Sequence, residues 1–295
     1  MIDKEILIKR LSIVKLLYKT GLEQSKQSES ISFFSILTFH DSIEMFLKLA
    51  SEHKGVKSDK FSFIEYWNHL PLTLKASMNN FNSRRVNLKH RGLLPAKIEI
   101  ETSRVNASDF FEQNTLSIFG LNFSEISLFE LIKFKKTKNL LISAQKKLIS
   151  NEIENCIFDA AVSFQELLTE YKENKLDYRK RTLFNFSKSI RLDRNPNKNE
   201  GQLIDIVKQM NNKFSEIEST LEVISFGIDF RKYSKFTMIT PELYKEISTG
   251  NYVIHNQKYF EEIRSEDCQF LIDFVLDCSL KLQEFDYENP NFKLS

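Results

Sequence analysis

Apolar residues fall at helical intervals along most of this chain. Ile6, Leu7, Leu11, Val14, Leu17 and Tyr18 recur at the spacing that lines one face of a 3.6-residue helix, and Gly21 with the polar run Glu23–Ser30 predicts its stop. A second helix is expected over Ser30–His53, and a third over Ser58–Ala76, broken near Pro71. Residues Asn79–Pro95 predict a helix whose last turn ends at Gly92, because glycine adopts the left-handed closing conformation without a Cβ penalty and Pro95 prevents continuation. Lys97–Asn106 alternates apolar and polar side chains, which reads as a short extended stretch, and Ser108 starts the next helix. A long helical region follows over Ser124–Lys175, patterning resumes over Gly201–Phe236, and a last helix covers Ser265–Phe285 before a polar, frayed tail. The fold class is therefore all-α with a minor extended element.

Composition narrows this further. Seven glycines in 295 residues are too few for glycine-rich phosphate loops or the many tight turns of β architectures. No G-x-G-x-x-G or G-x-x-x-x-G-K-[ST] pattern occurs, which excludes a dinucleotide fold and a P-loop enzyme. With 26 phenylalanines the chain can bury a sizeable core, and its length suits roughly two domains. A net charge of +2 leaves any nucleic-acid contact to local patches. The three cysteines, Cys156, Cys268 and Cys278, match no zinc or redox spacing and read as reduced core residues. His53, His69 and His255 have no partner at metal-ligand spacing, so no metal or other cofactor is expected. The charged N-terminus is unlike a signal peptide and no run has the length of a membrane span, so the expected location is cytoplasmic.

The chain also carries an internal likeness. Phe39–Lys54 set over Ile157–Lys172 pairs Asp41 with Asp159, Phe46 with Phe164, Leu49 with Leu167, Glu52 with Glu170 and Lys54 with Lys172, without gaps. Arg85–Pro95 set over Arg231–Pro241 keeps the arginine, the lysine four residues on and the proline. Two blocks in the same order favour a duplication, with domains at 1–123 and 124–295. The second copy is longer by about 28 residues, which the basic stretch Lys175–Asn199 accounts for. That stretch is either a solvated connector or a phosphate-contacting arm, with Arg179, Lys180 and Arg181 as its densest cations. His40, Glu44 and His90 of the first half align with Phe158, Val162 and Phe236, so the second copy is degenerate and any catalysis belongs to the first.

Between Asn80 and Ile98 there is no acidic residue, while Arg84, Arg85, Lys89, Arg91 and Lys97 all lie there. Arg85-x4-His90 within this basic helix end resembles the R-x4-6-H pattern of the HEPN superfamily, α-helical ribonucleases and RNA-binding modules of bacterial defence and toxin systems. The helix containing His40-Asp-Ser-Ile-Glu44 is similar to the one that precedes the motif there. The resemblance implies metal-independent RNA cleavage in which histidine moves a proton and arginine stabilises the crowded phosphorane. Arg84, Arg85 and His90 would carry the chemistry, with His40, Glu44 and Asn87 positioning them. Lys89, Arg91 and Arg231 would join the basic loop in holding RNA. Val86 stands where the family often has a polar residue. A homodimer, or a partner such as an antitoxin or sensor, is the implied assembly. The alternative is a non-catalytic interaction module or RNA-binding scaffold of a defence complex. Residues five apart on an ideal helix differ by about 140°, so His90 is expected where the helix frays. Its place in the last turn also favours positive charge through the helix dipole.

Overall fold

A computed structural model of the chain describes residues 2–173, 201–246, 248–256 and 263–284. The basic stretch with Arg179, Lys180 and Arg181, and the C-terminal tail, lie outside the described residues. The chain divides into two compact units, Met1–Leu131 and Ile132–Ser295.

In the first unit, α1 (Lys4–Ser25) starts at Asp3, whose carboxylate accepts hydrogen bonds from the amides of Glu5 and Ile6. It runs on through Gly21, where a stop was expected. Gly21 is buried, and a Cβ there would lie 2.6 Å from the Phe39 ring. The glycine thus permits a close approach of two helices and does not end one. Gly21→Ala is expected to cost about 2 kcal/mol by overpacking, read as a lower denaturant midpoint; an unchanged midpoint would contradict the contact.

A four-residue helix, α2 (Glu29–Ser32), leads into α3 (Phe34–Lys54), which closes at Gly55 with φ +71°. Helices α1 and α3 pack along each other, burying Leu7, Leu11 and Val14 with Ile36, Phe39, Ile43 and Phe46. Residues 58–74 are not the expected third helix. They form a loop with one 3-10 turn, Glu65–Asn68, that buries Tyr66 and Trp67. Pro71 supplies no amide hydrogen there, and the loop is tied down by side chains instead. The Trp67 indole donates to the Thr73 carbonyl (2.7 Å), and buried Asn114 accepts from the Thr73 amide (2.9 Å). Next comes α4 (Lys75–Arg91), closed by Gly92 with φ +65°.

The expected extended stretch at Lys97–Asn106 is instead the first half of α5 (Lys97–Phe119). Its alternation is misleading: Ile98 is exposed and Ile100 buried, and the buried series continues through Ser103, Ala107, Phe110, Phe111 and Asn114 with helical spacing. Glu99 accepts from the Ala96 amide and so caps the first turn, a local contact that an alternation count does not weigh. Two 3-10 turns, Phe123–Glu125 and Leu128–Leu131, stay with this unit. Lys15 donates to the carbonyls of Phe123, Ser124 and Ile126, and Ser12 to that of Ser127.

The second unit opens with α6 (Lys135–Ile149) and α7 (Ile153–Glu173), separated by a turn at Asn151 with φ +59° where one long helical region was expected. Helix α8 (Gly201–Ser225) is likewise cut from α9 (Phe230–Ile239), at Gly227 with φ +68° and the N-cap Asp229. Strands β1 (Glu242–Lys245) and β2 (Tyr252–Asn256) form an antiparallel hairpin that the helical reading missed, and α10 (Ser265–Glu284) ends the described chain. The hairpin is held to α7 by buried Glu166. Its carboxylate accepts from Lys245 (2.6 Å) and the Tyr252 hydroxyl (2.8 Å), and Lys136 lies 3.2 Å away. Burial alone would raise this carboxyl's pKa, but the three donors outweigh it and hold the group below the usual range.

Helices α6 and α10 pack on α7, and Phe164, Phe236 and Phe274 gather in one aromatic cluster. Cys156, Cys268 and Cys278 are free and buried. The Cys156 thiol donates to its neighbour Cys268, and this bond together with burial pushes the Cys156 thiol up. No helix among the described residues is long and apolar enough to cross a membrane.

Candidate functional site

Helix α4 buries Met78, Phe81 and Leu88, which leaves Arg84 and Arg85 half-buried and Lys89, His90 and Arg91 exposed. Arg84 and Arg85 point to different partners. Arg84 Nη1 donates to Ser103 Oγ on α5 (3.2 Å), and that hydroxyl passes its own proton to the Glu99 carbonyl (2.6 Å). Arg84 therefore braces α4 against α5.

Arg85 Nη1 lies 3.3 Å from His90 Nε2. The guanidinium is a permanent donor, so the imidazole nitrogen facing it is the acceptor and carries a lone pair. The two side chains meet without any fraying: α4 is continuous through Arg91, with His90 inside its last turn. The expected frayed end is thus corrected. The long arginine side chain spans the angular gap between positions 85 and 90, so the helix does not have to open. The Arg85 Nε is buried with no partner, which leaves a second donor edge of the guanidinium uncommitted.

Beneath this pair sits His40 of α3, 1% exposed and stacked on Phe63 (4.3 Å between centroids) and Phe81 (6.0 Å). Its Nε2 is 3.0 Å from Asn82 Oδ1, an arrangement that puts the ring proton on Nε2. Nδ1 is then a lone pair, buried without a hydrogen-bond partner and 3.8 Å from Glu44 Oε2. Burial, with Arg85 and Lys89 adding positive charge nearby, lowers the His40 pKa to about 4, against smaller opposing effects of Asn82 and Asp41. The ring is therefore neutral at pH 7.

Lys89 and Arg91 are exposed beside His90 in the last turn, where cations are favoured by the helix dipole. Among the described residues no carboxylate forms an ion pair with Arg84, Arg85, Lys89 or Arg91. Asn87 contributes its backbone, its carbonyl accepting from the Leu93 amide (3.1 Å) as the helix closes. Arg231 belongs to the second unit, exposed in the first turn of α9, where its amide donates to the Asp229 cap.

Asn82, Ser103 and the two rings around His40 escaped sequence reasoning. The partners in each pair lie far apart in the chain, and Ser103 sat in a stretch read as extended. His40, Asp41 and Glu44 are the grouping with metal-ligand spacing among the described residues, their ligand atoms lying within 4.8 Å of one another. Arg85 and Lys89 beside the same imidazole oppose a cation there. His53 packs edge-on to Phe119 and His69 stacks on Phe61, both part of the aromatic packing.

No protein-family model, curated protein or solved structure matches the chain. What the first unit offers is a helical bundle carrying an arginine–histidine pair on a cationic helix end.

Proposed function

We propose that the first unit is a HEPN-type, metal-independent RNA endonuclease acting in the cytoplasm as part of a bacterial defence or toxin system, within a tandem whose second copy is degenerate. The observation that carries this reading is the Arg85–His90 contact at 3.3 Å on an acid-free helix end. An RNA phosphate draws the Arg85 guanidinium by charge-assisted hydrogen bonds, which releases the His90 Nε2 lone pair. The imidazole takes the proton of the 2′-hydroxyl as that oxygen bonds to phosphorus, and the leaving 5′-oxygen is then protonated by the imidazolium. Lys89 and Arg91 hold neighbouring phosphates.

The tandem reading draws support from the helix order. In the first unit α1 and α5 pack on α3; in the second α6 and α10 pack on α7. Phe236, aligned with His90, is buried on Phe164 and Phe274, so the second copy has an aromatic core residue where the first has its proton carrier.

The test is cleavage of single-stranded RNA by the purified 295-residue chain in excess EDTA. The expected products carry 2′,3′-cyclic phosphate and 5′-hydroxyl ends. RNA that is bound but left intact would assign the chain instead to the non-catalytic scaffold class. Loss of cleavage on chelation would exclude the metal-free mechanism.

A further inference from the structure

Within the second unit, α7, α8, α9 and β1 surround a cleft of about 810 Å³, within the range of small-molecule sites. Its floor is α7, where Phe164 is buried and the small side chain of Ala161 stands where the first half has Ile43. Helix α9 brings Phe230 and Tyr233 to the cleft, three positions apart on one helix face. The Tyr233 ring lies 5.8 Å from that of Phe164 and 6.2 Å from that of Phe230, centroid to centroid. Tyr244 of β1 adds a further ring, and both Phe230 and Tyr244 are exposed, at 46% and 51%. The charge of the lining is one-sided: Glu216 of α8 and Glu242 of β1 belong to it, and no lysine, arginine or histidine does. The cations of α9 turn elsewhere, Lys232 lying 3.6 Å from Asp277 and Lys235 3.5 Å from Asp267, both on α10. Among the described residues no cation forms an ion pair with Glu216 or Glu242.

We propose that this cleft binds a small organic cation, an ammonium group carried on an apolar body. The faces of the rings attract a cation through their quadrupoles, and the two carboxylates supply charge that a neutral ligand would leave uncompensated. A phosphate or a nucleotide finds no cation in the lining and meets two negative groups instead. A bare divalent ion would gain from the carboxylates and nothing from the rings. The ligand is thus of opposite charge to the one that the cationic end of α4 would hold. The cleft lies wholly in the second unit, so its occupancy does not rest on the catalytic reading.

The test titrates the purified 295-residue chain with benzyltrimethylammonium chloride, followed by calorimetry and by saturation transfer to the ligand protons. Saturable binding with a Kd of about 1 mM or tighter is expected. Benzyl alcohol, which keeps a ring and lacks the charge, should bind several-fold more weakly, and magnesium chloride should not displace the ammonium ion. Glu216→Gln and Glu242→Gln each remove one charge from an exposed position, so both should weaken binding with the helical circular dichroism retained. Phe230→Leu should weaken it by roughly 2–5-fold, the value of one exposed cation–π contact. Absence of saturable binding would overturn the proposal. Equal affinity for benzyl alcohol would make the cleft a neutral apolar site, and displacement by magnesium would make it a metal site; either result overturns the assignment. Binding that both glutamine variants leave unchanged would place the cation elsewhere on the chain.

Discussion

His90→Ala is expected to lower the rate of RNA cleavage by roughly 10²–10⁴-fold, the usual contribution of a positioned acid–base group, while leaving the unfolding midpoint within experimental error. The two halves of this expectation rest on different features. His90 is exposed, and its side chain meets Arg85, so truncating it leaves no cavity and strands no buried polar atom. Its imidazole is nevertheless the one proton-transfer group touching the cation that a phosphate would engage. Arg85→Lys makes a useful companion, because lysine keeps the charge and loses the planar fork that can hold a phosphate and an imidazole together. Cleavage should fall there too. Arg84→Ala, by contrast, should act through stability, since Arg84 is committed to Ser103. Cleavage by His90→Ala at the wild-type rate would remove His90 from the chemistry and, with it, the enzymatic reading.

How much of this arrangement can be read from residues alone depends on the range of the contacts. The helix end at Gly92 is legible because a left-handed glycine followed by Pro95 is a local signal, and α4 stops there. The cationic run beside it is legible for the same reason. The failures share the opposite cause. Gly21 looks like a stop because its reason for being glycine, the Phe39 ring, lies on another helix. Lys97–Asn106 alternates locally, yet the bundle buries Ile100, Ser103 and Ala107 on a helical face, and tertiary packing overrides a short period-2 pattern. The hairpin after Pro241 depends on buried Glu166, more than seventy positions earlier. Within the site, an angular argument separates Arg85 from His90 because it treats side chains as directions and ignores their length. The pairing of His40 with Asn82 has no sequence signature.

The same imidazole at position 40 makes stability depend on pH in a way that separates it from His90. Held neutral by burial with a pKa of about 4, against about 6.5 for an unconstrained histidine, His40 refuses in the folded state a proton that the unfolded chain accepts. The folded pKa is the lower one, so its share of stability is complete above pH 6.5, falls as the pH drops from 6.5 to 4, and levels off below that. At about 1.4 kcal/mol for each pKa unit the loss amounts to roughly 3 kcal/mol. Asp41, Glu44, Arg85 and Lys89 are the charged groups around the ring. Carboxylates held below their usual range, Glu166 among them, lose their contribution at lower pH and overlap only the foot of this transition. His40→Phe isolates the effect. Phenylalanine, the residue aligned here in the second half, keeps the stack on Phe63 and Phe81 and cannot titrate. Unfolding free energies of the two proteins from urea titrations, followed from pH 7.5 to 4, should shift relative to each other by roughly 3 kcal/mol in favour of the variant as the pH falls; parallel curves would show that His40 protonates in the folded protein. Because His40 is buried and, with a pKa of about 4, too weak a base to hold the transferred proton, His40→Phe should also keep far more cleavage activity than His90→Ala, and that contrast assigns the proton transfer to one histidine of the two.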